Sequence, residues 1–294
     1  MEQQKKLLKL IDQSLTDFLD DLPAIEKNTY ARLLELLKEL ELERGTIKNS
    51  LNNLRLIPKI KSEVDKIVMN PKYMGRVSEF AKTYGAIATL QNEYFASIST
   101  KFTPKKIYKE LKNVSIQMAV EGLTESGIGV EMSNEITQVL RQNITEGGSY
   151  ADLSESLRNK VIGEGKEPGI VTRYSKQITY DSINQFNRNY VKVISDDLGL
   201  DWYAYTGSLK TTSRPFCKEL SDRGYFHRDE IPDLLRGKIG DKTVPLNEDT
   251  GLPEGMIEGT NESNFITRAG GYNCGHIIFP VSEAIVPKKL LELA

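Results

Sequence analysis

Every cysteine and histidine of the 294-residue chain falls between Trp202 and Pro280: Cys217, His227, Cys274 and His276. Two thiols and two imidazoles are what Zn²⁺ takes in a closed, tetrahedral structural site. The order is C-x9-H, then a long gap, then C-x-H inside GGYNCGHIIFP, without the short C-x2-4-C and H-x3-5-H knuckles of common zinc modules. Clustering is the stronger signal. A metal that clips both ends of the loop 228–273 recovers chain entropy that a free loop would keep. The four residues are therefore the candidate metal ligands, with Zn²⁺ as a structural cofactor. The same residues admit other chemistries. An isolated Cys is most often a small buried hydrophobe, and an isolated His a hydrogen-bonded surface or core residue. In an oxidising compartment Cys217 and Cys274 can form a disulfide. A Cys–His pair can also serve as nucleophile and base, although no third residue that would orient it can be picked out.

A wider set of motifs surrounds these residues. The segments TYDSINQFNRN, DWYAYTGSLKTTSRPFCKEL, GYF and GGYNCGHIIFPV together resemble the phage head-morphogenesis family, the Mu F-like minor head proteins. In that family a helix ending in an Asn-bearing stretch leads to a strand with Trp and a turn. An R-x-x-C-x-x-L segment follows, then a small-residue turn with an aromatic, and H-P-x-C-R-C-x-x-x-P closes the motif. Arg214, Cys217 and Leu220 match the middle segment, Gly224 and Phe226 the turn, and Cys274 and Pro280 the close. Two departures stand out: Cys274-Gly275-His276 replaces C-R-C, and Tyr272-Asn273 stands in place of His-Pro. The resemblance covers roughly residues 130–282. It implies a structural minor head protein of a tailed phage, docked at or near the portal inside the capsid. Its partners would be the portal protein and other head proteins, and its role head assembly and, in some members, genome delivery. The implied location is the virion, reached from the host cytoplasm during assembly.

Composition sets the outer limits. Hydrophobic residues make 39% and charged residues 27%, which is too apolar for a disordered chain and leaves room for much exposed helix. A net charge of −2 argues against a globally basic face for nucleic acid. No apolar run approaches the length of a membrane span, and MEQQKKLLKLIDQ lacks the apolar core of a signal peptide, so no membrane partner is expected. The length predicts two units; on the resemblance these are a helical N-terminal docking region over 1–125 and a head-morphogenesis-like domain over 126–294.

The elements that must carry the candidate ligands follow from periodicity. Leu7, Leu8, Ile11, Leu15, Phe18, Leu19 and Leu22 form one helical stripe, and Pro23 ends it and primes the next helix. Leu33, Leu37, Leu40, Ile47, Leu51 and Leu54 continue a 4-3 seam across Arg44-Gly45, read as a helical hairpin or bundle packing on itself. Pro58 and Pro71 punctuate further helices. Ser133 is the expected N-cap of a helix stopped by Gly147-Gly148, with another helix from Tyr150 to Leu157, and VIGEGKEPGI reads as a loop. Thr172 to Leu198 reads as a long amphipathic helix stopped by Gly199. Its polar residues Asn184, Asn187 and Arg188 are read as solvated, or, on the resemblance, as fixing the neighbouring strand turn. Trp202–Tyr205 and Ile277–Val281 read as strands, with a Thr206-Gly207-Ser208 turn, and the Gly-rich insertion between them reads as a hairpin or an excursion on the surface. The fold class is thus mainly α with a small α+β C-terminal module stapled by zinc.

No G-x-S-x-G, H-E-x-x-H or H-x-E…P-C-x-x-C pattern is present, so a non-enzymatic role is expected. The alternatives are a Cys–His hydrolase or effector enzyme, and a DNA-associated zinc module. For the latter, the basic run KFTPKKIYKELK over 101–112 and Arg173, Lys176, Arg188 and Lys192 offer weak, non-specific phosphate contact.

Overall fold

The computed structural model describes residues 2–207, 209–271 and 274–292. Helix dominates. The apolar stripe from Leu7 to Phe18 lies on α1 (Glu2–Leu19), and Pro23 opens α2 (Leu22–Leu37), where a missing N–H costs nothing. The seam then breaks. Arg44 and Gly45 both take positive φ, 53° and 84°, and turn a minimal hairpin of β1 (Leu42–Glu43) and β2 (Thr46–Ile47). Asn53 ties that hairpin down, accepting from the N–H of Glu41 at 2.8 Å and donating to the carbonyls of Glu41 and Lys48 at 3.0 and 2.7 Å. The 4-3 pattern therefore belongs to two helices rather than one, and Leu51 at the start of α3 (Leu51–Val68) is exposed.

Pro58 lies inside α3 without ending it, on an exposed side of the helix. Pro71 does open a helix, α4 (Pro71–Ile98), followed by α5 (Lys106–Leu123) and a π turn at Glu125–Gly129. Then come α6 (Val130–Glu146) and α7 (Tyr150–Val161), divided by Gly147 in the left-handed region at φ 68° and by Ser149, whose side chain caps Asp152 N. Ser133 is not a cap. It is buried within α6 and donates to Asp65 Oδ1 at 2.6 Å. The loop 163–168 is a two-residue-a-side hairpin of β3 (Gly163–Glu164) and β4 (Glu167–Pro168), and α8 (Ile170–Leu198) follows, with Gly199 at φ 64° after it.

The last third holds β5 (Trp202–Thr206), α9 (Pro215–Arg223), β6 (Tyr225–His227) and α10 (Ile231–Leu235). After these come the hairpin β7 (Lys238–Ile239) and β8 (Lys242–Thr243), α11 (Phe265–Arg268), β9 (Ile277–Pro280) and α12 (Lys288–Leu291). Antiparallel pairing gives the order β6-β5-β9, with Tyr203 opposite Phe226 and Tyr205 opposite Ile278. The strand β6 escapes the sequence reading because three residues are too few for an alternation to show. Insertion 228–273 does contain a hairpin, β7–β8, but it is not an excursion on the surface. Ile231, Leu234, Ile239, Met256, Phe265 and Ile266 are buried with Tyr203, Tyr205 and Phe226, so this segment supplies much of the core over one sheet face. Ser208, expected in the turn after β5, lies outside the described residues.

The protein is mainly α with a small α+β module in its C-terminal part. Its two compact units do not divide at residue 125. One comprises the chain up to Leu8, Tyr84–Ser115 and everything from Tyr180; the other comprises Lys9–Thr83 and Ile116–Thr179. The reason is that α1, α4, α5 and α8 each contribute residues to both. In the second unit Phe18 meets Tyr73 and Phe80 edge-on, and the hydroxyl of Tyr73 donates to Leu123 O at 2.7 Å. In the first, Tyr84, Phe186 and Tyr190 form a ring contact series, and Gln91 donates to the buried Asn187 at 2.7 Å. The lysine-rich run is partly neutralised within this unit, since Lys105 pairs with Asp197 and Lys106 with Glu110.

Glu26 gives the second unit a pH-dependent fastening. It is buried and accepts from the N–H of Thr172 in the first turn of α8 at 2.7 Å, acting as a cap from another helix. Burial raises its carboxyl above the ordinary range, against the hydrogen bonds from Thr172 that lower it. The folded state therefore holds the proton more tightly than the unfolded one. This group's contribution is full below the ordinary carboxyl range and declines as pH rises through the raised value. Glu26→Gln, which keeps an acceptor oxygen, should remove that decline in urea unfolding followed from acid to neutral pH. Glu26→Ala should cost about 1–2 kcal/mol, because the Thr172 N–H loses its partner.

Candidate metal centre

Three of the four candidate ligands converge. Cys217 lies on α9, where Arg214 is the extended N-cap residue, Pro215 starts the helix, and Cys217 and Leu220, three residues apart, are buried on one side. Cys274 and His276 lead into β9. The sulfurs of Cys217 and Cys274 are 3.9 Å apart, and Cys274 Sγ is 3.4 Å from His276 Nδ1. One ligand atom from each residue falls within 4.8 Å of the others. All three are enclosed: Cys217 is 2%, Cys274 6% and His276 4% exposed.

His227 is elsewhere. Strand residues alternate faces, and β5 and β6 pair with Trp202 opposite His227 and Tyr203 opposite Phe226. Phe226 lies in the core with Tyr205 and the cysteines, so His227 takes the other face. There its ring packs on Trp202 at 5.1 Å, and Nδ1 accepts from the N–H of Asp229 at 3.3 Å. A separation of nine residues from Cys217 carried no information about this, because a helix end and a turn to a new strand intervene.

The cluster is held in place by groups that the metal pattern alone did not select. Arg188, 5% exposed, projects from α8 and donates to the carbonyls of Cys274 and His276 at 3.1 and 2.9 Å, with a longer bond to Thr267 O at 3.5 Å. Arg214 donates to the carbonyl of Gly270. The polar residues Asn184, Asn187 and Arg188 of α8 are thus buried rather than solvated, and Arg188 fixes the approach to β9 rather than the turn after β5. Gly270 has φ +85°, and a Cβ there would sit 2.2 Å from Cys274 Sγ, so any side chain would displace a ligand. Tyr272 and Asn273, which occupy the His-Pro position of the resemblance, lie outside the described residues.

Tyr205, read from the sequence only as a strand residue, also lies at the cluster. Its hydroxyl lies 3.3 Å from Cys217 Sγ and 3.6 Å from Cys274 Sγ, and its ring stacks on His276 with centroids 5.1 Å apart and planes 12° apart. The available signal was the alternation in WYAYT, which puts Tyr203 and Tyr205 on one face.

The donor set fits a thiophilic metal. A tetrahedral centre with metal–sulfur bonds of about 2.3 Å and metal–nitrogen bonds of about 2.05 Å has S···S edges of ~3.8 Å and S···N edges of ~3.6 Å. The two measured edges, 3.9 and 3.4 Å, lie close to both. Charge is also prepared. The hydrogen bond shared with Cys217, together with His276 and the charge of Arg188, holds the Cys274 thiol well below the ordinary thiol range despite burial. Cys217 is pushed up by the same shared proton and by burial. Burial, then the two sulfurs, raise the Tyr205 hydroxyl. A buried Cys217–Cys274–His276 group able to hold a metal ion is therefore present.

A polar cavity of about 180 Å³ adjoins the cluster, walled by Asp181, Asn184, Arg188, Arg268 and Cys274 among others. No protein-family model, curated protein or solved structure matches the chain.

Metal retention should separate the histidines. His276→Ala should abolish binding of a stoichiometric thiophilic ion, measured by elemental analysis after desalting, whereas His227→Ala should keep the ion and lose about 0.5–1.5 kcal/mol of ring packing against Trp202. Equal metal loss in both variants would contradict the three-residue cluster.

Proposed function

We propose that the protein is a structural minor head component of a tailed phage, docking at or near the portal inside the capsid, with its C-terminal module clipped by one Zn²⁺. The observation that carries this reading is convergence. Cys217 of the Arg214–Cys217–Leu220 segment and Cys274 of the motif's close, both of which match the resemblance, meet with His276 in one buried cluster although 53 residues of chain (221–273) separate the two segments. Cys217, Cys274 and His276 would hold the ion, which would supply bonds joining α9 to the approach to β9. Burial of both sulfurs favours a clip over a catalyst, because a reactive thiolate must be reached by its substrate. Helices with exposed apolar residues, such as Ile107, Val114 and Met118 on α5, offer contact surface to head proteins.

A second reading, a Cys–His hydrolase, draws on the cavity beside Cys274 and on the depressed thiol of that residue. The two readings place opposite demands on Cys274. Under the structural one, Cys217→Ser and Cys274→Ser should each release zinc and render the C-terminal region protease-sensitive. The double variant should lose little more than either single one, since the first change already opens the site. Under the catalytic one, Cys274→Ser stays folded and loses only turnover. The particle role is tested by expressing the chain with a phage portal and head: it should co-purify with the portal, and the Cys274→Ser protein should fail to incorporate. Normal incorporation of a zinc-free Cys274→Ser protein would defeat the proposal.

A further inference from the structure

Two thiolates and one imidazole leave one vertex of a tetrahedron unfilled, and a structural site closes that vertex with protein. Among the described residues the histidine expected there, His227, lies on the other face of the sheet. Tyr205 Oη lies at the cluster instead, buried, with the two sulfurs as its hydrogen-bond partners. An oxygen ligand at about 2.1 Å on the same centre would make S···O edges of ~3.6 Å. The measured separations are 3.3 and 3.6 Å. We infer that Tyr205 is the fourth ligand, closing a Cys₂–His–Tyr site through its phenolate oxygen. The inference rests on the metal reading above.

A second, independent observation concerns charge. Arg188 carries a buried guanidinium whose hydrogen bonds among the described residues go to carbonyls rather than to a carboxylate, and its Nε has no partner among them. A buried cation of this kind calls for a nearby countercharge. A divalent ion with two thiolates is neutral; a phenolate makes the centre singly negative. Arg188, bonded to the carbonyls of two ligand residues, is placed to answer that charge. As the metal–sulfur and metal–oxygen bonds form, the thiol proton shared by Cys217 and Cys274 and the phenol proton both leave to solvent, so the valence of every atom is preserved. The stack of Tyr205 on His276 fixes the ring so that its oxygen can reach the vertex with little further ordering.

Co²⁺ serves as the probe. Metal-free, reduced full-length protein titrated with Co²⁺ should develop thiolate-to-metal charge-transfer absorption. In parallel it should gain the ultraviolet difference band of one phenolate per ion. Its visible cobalt bands should not move on addition of azide, because no vertex is open. Tyr205→Phe should still bind Co²⁺ through Cys217, Cys274 and His276, with affinity reduced about tenfold or more. The phenolate band should be gone, and azide should now shift the visible bands. If Tyr205→Phe does not fold, the wild-type phenolate band and azide response decide the matter alone. Thiolate charge transfer without the phenolate band, or wild-type bands that shift with azide, overturns Tyr205 as a ligand and leaves the three-residue metal site standing. Absence of any thiolate charge transfer removes the metal site and this inference together.

Discussion

Arg188 places a full positive charge inside the C-terminal module, and a guanidinium withdrawn from water must find acceptors in fixed directions. It finds them in the carbonyls of Cys274 and His276, which straddle Gly275. Those two bonds anchor the C-x-H segment to α8, and Arg214 anchors the preceding turn at Gly270. With the backbone so held, Cys274 Sγ faces Cys217 and His276 lies flat against Tyr205. The metal-binding potential of the module is therefore a property of α8 and α9 as much as of the residues that would touch an ion. It also explains why Gly270 has no room for a side chain: on the anchored turn a Cβ would lie 2.2 Å from the sulfur of Cys274.

What was legible in the sequence was mostly local. Gly147 and Ser149 divide α6 from α7 because a left-handed glycine and a hydroxyl cap each act within one turn of chain. The span of α8 and its stop near Gly199 follow from its apolar stripe, and the shared neighbourhood of Cys217, Cys274 and His276 from the scarcity of Cys and His. The misses were tertiary. Ser133 looks like a cap but is recruited by Asp65 from another helix. His227 was assigned by residue type, whereas its role is decided by strand register, and register depends on which residues a short, unrecognised strand contributes. Tyr205 was passed over because tyrosine in a strand signals core far more often than chemistry.

The insertion 228–273 shows why composition misleads here. Its glycine and asparagine content suggests a mobile surface segment, yet Met256, Phe265, Ile266 and Ala269 are buried beneath it. Polar turns alternate with single apolar anchors, so little regular structure is needed to cover the sheet face. Asn247, Asn261 and Asn264 satisfy backbone N–H and carbonyl groups that helices or strands would otherwise pair. Irregular backbone is thereby kept compatible with a dry core.

The interleaving of the two units sets an order of assembly during synthesis. All residues of the unit made from Lys9–Thr83 and Ile116–Thr179 have been polymerised once synthesis has passed Thr179. That unit can consolidate while the C-terminal third is still being polymerised. Residues 84–115, by contrast, are translated early and must wait for their partners from Tyr180 onward. During that interval Phe95 and Tyr94 lack the strand β9 against which Tyr94 finally closes, by a bond to Pro280 O. The nascent chain thus carries unpaired apolar helix for the time needed to add well over a hundred residues, which makes the second half of translation the window in which chaperone capture matters most.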